Sequence, residues 1–313
     1  MSRALAQDLL QLPDTEVIML RDARLEACPI PRVAASTISS AGQERELLES
    51  WGSRADWTLL IAPEIGNALV DRCRWVEAAG GRLLGPDSRL VALASDKQAT
   101  AEHLADAGLP VPRGVRLLPG ERPPPDLPYP AVLKPCDGAG SHGVRWIADV
   151  SDRAIFERGR EVMRLEQWHP GMAASVALLC GPREVVVLEP CGQRLSEDGQ
   201  FRYLGGFLPL PGSLADRARD LGRKAARALS PSSGFLGIDL VLGNDGAASD
   251  VIIEVNPRMT TSYLGLRRAA HGNLGAAMMA LAAGQRCDLS FGTQRVEFAP
   301  DEYRARETAC HAP

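Results

Sequence analysis

Asp239 and Glu254 are the residues in this sequence whose types and spacing most clearly suggest chemistry. Asp239 sits inside the apolar run Phe-Leu-Gly-Ile-Asp-Leu-Val-Leu, and Glu254 inside Val-Ile-Ile-Glu-Val-Asn. Between the runs, Gly243-Asn244-Asp245-Gly246 is dense in turn residues, so 235–242 and 251–256 read as the two strands of a hairpin. Folded about Gly246 and Ala247, the hairpin sets Asp239 opposite Glu254. Like charges facing each other on a sheet are destabilising, so a cation is expected between them. Side chains alternate with a period of two, which puts Asn256 on the face of Glu254 and adds a neutral oxygen. Two carboxylates and an amide oxygen are hard ligands that suit Mg²⁺, or Mn²⁺ in its place. The plainer alternative is a solvent-facing polar stripe on an amphipathic hairpin.

A second constellation is Lys134-Pro-Cys-Asp-Gly138-Ala-Gly140-Ser141-His142-Gly143-Val144. Glycines let backbone N–H groups approach a polyphosphate, and a lysine at a strand end supplies charge. The letters Gly138-x-Gly140-x-x-Gly143 match the dinucleotide fingerprint, but that motif must open a helix, and Val144-Arg145-Trp146-Ile147 reads as a strand. A protein-kinase phosphate flap is also excluded, because neither His-Arg-Asp nor Asp-Phe-Gly occurs in the chain, and there is no Walker A loop. A flexible hairpin tip would look the same in isolation.

Lys97 falls in the first turn of an expected helix, where the macrodipole disfavours a cation and a bound phosphate would offset it. An exposed, solvated lysine is the ordinary reading of such a residue. Glu166-Gln167-Trp168-His169-Pro-Gly171 ends a strand and turns, offering a carboxylate that could accept from an adenine amino group beside an aromatic wall. A strand cap with a half-buried tryptophan reads equally well there.

The elements that must position these groups fall into three stretches. Up to about residue 94, apolar β-type runs at 16–20, 57–61 and 82–84 alternate with helical patterns at 44–51 and 65–78, as in a small parallel α/β lobe. Ser95 and Gln98 have capping-box spacing at the start of a helix that ends at Gly108. The proline-rich segment 119–130 reads as a surface connection. An α+β unit follows: strand, loop and strand over 131–147, a helix from about Ser151, and a strand ending at Trp168. Several β runs over 173–210 suggest an antiparallel meander, and a helix opens at Ser213, with Asp216 in capping-box position, to run to about Leu229. After the acid hairpin a helix continues through Ala283, and the tail beyond Asp301 is polar. The expected lobes are 1–94, 95–170 and 171–313.

Bulk properties narrow the function classes. Thirty-five Lys plus Arg against 39 Asp plus Glu give a net charge of −4, without the basic footprint that nucleic-acid binding needs. No apolar stretch approaches the roughly 20 residues that span a bilayer, and the first residues lack the unbroken apolar core of a secretory leader. The seven cysteines are scattered with no Cys-x-x-Cys pair, which reads as reduced thiols in a cytoplasmic protein rather than a disulfide frame or zinc site.

Taken in order, Asp96-Lys97, Lys134-Pro with Gly138 to Gly143, Glu166-Gln-Trp-His-Pro-Gly171, Gly237-Ile-Asp239 and Glu254-Val-Asn256-Pro-Arg258 resemble the ATP-grasp superfamily over about residues 90–285. The resemblance implies an α/β and α+β protein: an ATP-grasp fold, two lobes gripping ATP, with an N-terminal parallel α/β (pre-ATP-grasp) lobe. It implies phosphate contacts from Lys97 and Lys134, a mobile flap at Gly140, Ser141 and His142, and an adenine acceptor in Glu166 with the Gln167 to Trp168 backbone as hinge. Mg²⁺ ligation is implied for Asp239, Glu254 and Asn256, and stabilisation of the reacting carboxylate for Arg258. Many members carry an acidic residue soon after the hinge to hold the ribose, whereas Met172-Ala-Ala-Ser175 offers none.

More narrowly, Glu254-Val-Asn-Pro-Arg-Met-Thr260-Thr261-Ser262-Tyr263-Leu-Gly is similar to a stretch in the tyramine–glutamate ligase group, which acts in methanofuran-type cofactor synthesis. Thr260, Thr261 and Ser262 would then line the acceptor side. The activity implied is ATP-dependent joining of a small-molecule carboxylate to an amine through an acyl phosphate, L-glutamate with tyramine or tyrosine being one such pair. Another ligase of the superfamily, a carbamoyl or acyl phosphate former, and a silent ATP-binding regulatory protein are the alternatives, and a homodimer is compatible with all of them.

Overall fold

The computed structural model describes residues 1–25, 30–150 and 161–300. The helix expected from Ser151 and the tail beyond Asp301 lie outside the described residues. Among the described residues three sheets follow one another along the chain, and a fourth, two-stranded one pairs Ala270–His271 with Ser290–Phe291. Strands β1 (Val17–Asp22) and β2 (Val33–Ile38) pair in parallel, and the same stretch of chain carries helices α1 (Ser2–Leu9), α2 (Ala41–Gly52), α3 (Ala68–Ala78) and α4 (Ser88–Ser95), of which α2 packs against β2. Helix α5 (Lys97–Asp106) leads to a four-stranded antiparallel sheet of order β3-β6-β4-β5, formed by β3 (Gly114–Leu117), β4 (Ala131–Pro135), β5 (Arg145–Ile147) and β6 (Met163–Gln167).

The largest sheet contains β7 (Gly171–Cys180), β8 (Val185–Val187), β9 (Cys191–Leu195), β10 (Tyr203–Leu208), β11 (Gly234–Gly243), β12 (Val251–Asn256) and, at its far edge, Val296–Phe298. Its order is β12-β11-β7-β9-β10 and then Val296–Phe298, with β8 alongside β7. Helix α6 (Gly212–Leu229) covers one face, and helices α7 (Ser262–Ala269), α8 (Leu274–Ala282) and α1 cover the other. Alternation along β7 shows why its sequence carries no charge and is apolar apart from Ser175: Val176 and Leu178 pack toward α6, while Ala177 and Leu179 pack toward α7 and α8. A strand buried on both faces has no polar side to display.

Several local expectations are corrected. The runs at 57–61 and 82–84 do not form strands; they meet in a single parallel bridge, Thr58 with Leu83. Their apolar side chains are used in packing instead, Trp57, Leu59 and Ile61 against one core and Leu60 and Leu83 against another. The helix expected from Ile65 begins only at Ala68, because Gly66 (φ 61°) and Asn67 (φ 60°) are left-handed. Helix α5 is capped by Asp96 rather than Ser95: the Asp96 carboxylate accepts from the N–H groups of Gln98 at 2.9 Å and Ala99 at 3.1 Å. Helix α6 starts at Gly212 with no side-chain cap. The single helix expected through Ala283 is two, broken where Gly272 takes φ 138° and Asn273 caps α8.

Candidate active site

The acid hairpin folds as its turn residues suggest, with one addition. Asp239 on β11 pairs with Glu254 on β12, and Gly237 with Asn256, but the register slips by one residue between Asp239 and Leu240, so that Leu240 pairs with Ile252. This β-bulge inserts Ile253 as an unpaired residue. Both Asp239 oxygens accept from amides: Nε2 of Gln193 at 2.8 Å and Nδ2 of Asn256 at 3.0 Å. Neither amide brings charge. Burial, and after it the charge of Glu254, push the Asp239 carboxyl up to about 7 against those two hydrogen bonds and the more distant Arg258. A carboxyl strained toward neutrality beside a second acid fits a divalent cation. No group of three or more His, Cys, Asp or Glu side chains suited to a metal occurs among the described residues, so an ion here would draw on two acids and the Asn256 amide.

The cations that the sequence singled out converge on this hairpin. Lys97, at the first position of α5, lies 3.2 Å from Oε1 of Glu254 and also donates to the carbonyl of Gly138. Its own N–H donates to Cys136 O at 3.0 Å, which ties the start of α5 to the end of β4. Lys134, on β4, donates to the carbonyl of Ile253 at 3.3 Å and pairs with Glu166 at 2.5 Å. Asp96 is in turn bridged to Arg116 on β3 at 2.8 Å; that contact and the two capping N–H groups outweigh burial and hold its carboxyl below the usual range.

Glu166 is buried, with one oxygen on Lys134 and the other on Arg164 at 2.6 Å. Arg164 extends this network to Gln98 and to the Pro112 carbonyl. The sequence did not single out Arg164, although period-two alternation along β6 puts it on the face of Glu166. The N–H groups of Gln167 and Trp168 are already committed to the carbonyls of Arg113 at 2.8 Å and Pro130 at 3.0 Å, so the hinge resemblance does not extend to those two donors. His169 follows with its Nε2 buried and unpartnered, and burial holds its imidazole below the usual value.

The glycine loop joins β4 to β5, two antiparallel strands, which confirms that Gly138 to Gly143 opens no helix. Ser141 (φ 62°), Gly140 (φ 69°) and Gly143 (φ 73°) are left-handed, and Ser141 Oγ donates to Phe201 O at 2.8 Å. His142 is exposed. Asp137 at the base of the loop accepts from the Gly66 N–H at 2.9 Å.

Arg258 follows β12 and is met by Glu64, a residue with no local feature in the sequence to mark it. Its Nη2 donates to Glu64 Oε2 at 3.0 Å. Thr260 and Ser262 share a hydrogen bond of 2.7 Å between their hydroxyls, with Thr261 between them as the residue before α7. Gly237 makes room for them: a Cβ there would stand 2.7 Å from Thr260 Cγ2.

Comparison with known proteins bears on the family and the fold. Residues 94–262 match the family model described as an ATP-grasp domain, and residues 15–91 match a pre ATP-grasp domain. The chain is 25% identical over 223 residues to a tyramine–L-glutamate ligase of Methanocaldococcus jannaschii, covering 71% of this chain and 61% of that protein. It is 32% identical over 200 residues to a D-alanine–D-alanine ligase of Cereibacter sphaeroides, covering 58% and 62%. The chain thus spans about three fifths of the length of these relatives. Among solved structures, an ADP complex of N5-carboxyaminoimidazole ribonucleotide synthetase superposes with a TM-score of 0.76 at 18% identity over 93% of this chain and 76% of that one. An L-amino acid ligase from Bacillus licheniformis superposes with a TM-score of 0.71 at 17% identity over 91% and 72%. At these identities the superpositions speak for the fold.

Proposed function

The chain belongs to the ATP-grasp family, and from that premise we propose that it is an ADP-forming ligase that joins a small-molecule carboxylate to an amine. In the reaction the carboxylate oxygen takes the terminal phosphoryl group of ATP, breaking its bond to the bridging oxygen and releasing ADP. The amine nitrogen then attacks the acyl carbon of the resulting acyl phosphate, and phosphate leaves with the formation of an amide. The observation that carries this reading is the convergence of two lysines on the acid hairpin, Lys97 on Glu254 and Lys134 on the Ile253 carbonyl beside it, with Arg258 just beyond β12.

Each side chain takes a role set by its chemistry. Lys97 and Lys134 offset phosphate charge, and the glycine loop with Gly140, Ser141 and His142 covers the phosphates with backbone N–H groups. Glu166 accepts from the adenine amino group beside the Gln167 to Trp168 backbone, whose two N–H groups take no part, while its two cationic neighbours hold its carboxylate in place. Asp239, Glu254 and Asn256 are the residues that would hold Mg²⁺, or Mn²⁺, which when bound neutralises charge on the terminal phosphates. Arg258 holds the reacting carboxylate through two parallel N–H bonds, so that catalysis is mainly positioning and charge neutralisation. No step needs a covalent enzyme nucleophile, and burial pushes the Cys136 thiol up, away from reactivity. The work is divided among three lobes, at 1–94, 95–170 and 171–313.

For the substrates we favour L-glutamate and an aromatic amine such as tyramine or tyrosine, with Thr260, Thr261 and Ser262 on the acceptor side. The similarity of these residues to the tyramine–glutamate ligase group supports that choice, and the similarity to D-alanine–D-alanine ligases supports an amino acid as one partner. The test supplies ATP, Mg²⁺, L-glutamate and a panel of amines and follows ADP, with hydroxylamine added to trap an acyl phosphate. ADP release that requires both carboxylate and amine is the expected result; none with any pair excludes the reading.

A further inference from the structure

Glu64 lies far from every motif in the sequence, yet it is only 4% exposed and stands against Arg258. Its two oxygens are not equally served. Oε2 accepts from Arg258 Nη2 at 3.0 Å, whereas Oε1 lies 2.9 Å from Nε without the alignment of a hydrogen bond, so that both Oε1 and Nε are buried with no hydrogen-bond partner. A carboxylate and a guanidinium pair best as a two-bond fork, and this pair is a small rotation short of that arrangement. Buried polar atoms with an unmade bond cost stability unless another state of the molecule uses them.

The backbone around Glu64 is held on both sides. Gly66 and Asn67 adopt left-handed conformations directly after it, and the Gly66 N–H is fixed to Asp137 of the glycine loop at 2.9 Å. Asn67 takes the left-handed conformation that asparagine tolerates better than most residues, which fixes the turn out of Glu64 into α3. The adjustable member of the pair is therefore the guanidinium. Glu64 occupies its Nε and Nη2 edge, and among the described residues Nη1 reaches only the Met259 carbonyl, at 3.4 Å.

We propose that Glu64 is a positioning residue supplied by the N-terminal part of the chain: it grips the Nε edge of Arg258 so that the opposite edge is presented to the reacting carboxylate of the substrate. This rests on the role assigned to Arg258 above. Substrate arrival on the Nη1 side completes the fork on the Glu64 side, because both partners then fix the plane of one guanidinium. The same segment carries the Gly66 contact to Asp137, so the groups that meet the phosphates and the group that meets the carboxylate share one support.

Two measurements on the full chain test this. In steady-state kinetics with ATP, Mg²⁺ and a saturating amine, Glu64→Gln is expected to raise KM for L-glutamate on the order of tenfold to a hundredfold, with KM for ATP unchanged. The same factor is expected with glutarate, which lacks the ammonium group. A loss confined to L-glutamate overturns the proposal, because Glu64 would then be touching the substrate itself. The second measurement needs no activity. Arg258→Ala leaves a space bounded by the Glu64 carboxylate, and low-millimolar guanidinium chloride is expected to raise the melting temperature of Arg258→Ala relative to the double variant Arg258→Ala/Glu64→Gln. Equal responses of the two variants overturn the proposal. Absence of ADP release from the unsubstituted chain with every carboxylate and amine removes the ligase reading, and the melting measurement then still decides whether Glu64 provides a guanidinium site.

Discussion

Lys97 Nζ lies 3.2 Å from Glu254 Oε1, across the gap between the first turn of α5 and the last strand of the acid hairpin. The lysine is buried at a helix N-terminus, a place where neither the macrodipole nor the apolar surroundings favour a positive charge. Only anions on its far side explain the choice of residue, and Glu254 is one of them.

Lys97→Met keeps the length of the side chain and removes its charge. The expected outcome is a rise in KM for ATP of at least about tenfold, the factor for losing about 1.4 kcal/mol of charge-assisted contact, with KM for the carboxylate little changed. Nucleotide-dependent shifts of the melting temperature check this independently, and an unchanged ATP response would remove Lys97 from the site.

The acid pair carries a pH signature. Asp239 keeps its proton in the folded, metal-free chain up to about pH 7, whereas an ordinary aspartate loses it near 3.8, so the folded state binds that proton more tightly than the unfolded one. Its contribution to stability is complete below about pH 4 and is lost as pH rises through 7. The melting temperature of the metal-free protein should therefore fall between pH 5 and 8 by more than that of Asp239→Asn, measured in parallel. Stabilisation by Mg²⁺ with a nucleotide should grow over the same interval, since binding below pH 7 must first displace the proton.

Glu166 is expected to matter for folding as well as for nucleotide. Its side chain and those of Lys134 and Arg164 are each at most 4% exposed, so removing the carboxylate leaves two buried cations unpaired. Glu166→Ala should cost about 3–5 kcal/mol in urea unfolding, and Glu166→Gln, which keeps one acceptor oxygen, distinctly less.

Gly237→Ala should act on the acceptor side. The added methyl would stand 2.7 Å from Thr260 Cγ2, so the Thr260 to Ser262 segment must shift. A stability loss of about 1–3 kcal/mol is expected, with a rise in KM for the amine and little change in KM for ATP. Unaltered amine kinetics in a folded variant would take Thr260 and Ser262 out of that role.

Much of this site could be read from the sequence because its parts are local. Turn residues, alternation and a glycine loop each act over fewer than about 15 residues, a range in which backbone geometry alone fixes relative position. That is how Asp239 was set opposite Glu254, and why Lys97 and Lys134 stood out. Glu64 was not legible, because its partner Arg258 is 194 positions away and nothing near Glu64 distinguishes it from a surface acid. Arg164 had a weak signal in its alternation with Glu166, but a charged pair on a strand reads equally well as a solvated edge. The strands expected at 57–61 and 82–84 show the opposite failure, since apolar runs satisfy packing as readily as pairing.

The slipped register at Ile253 has a consequence for how this hairpin can vary. Ile252 and Val255 are three apart and yet both join the layer beneath α6, which strict alternation forbids. The surplus residue works as a phase shifter, letting the strand return its greasy side to the same layer while Glu254 and Asn256 stay on the ligand side. Deleting Ile253 alone should therefore leave a regular ladder, with Ile252 and Val255 still in the core layer and Glu254 and Asn256 still on the ligand side. What it would take away is the bulge carbonyl that receives the Lys134 ammonium at 3.3 Å, a main-chain acceptor that no change of side chain at the two acids can replace.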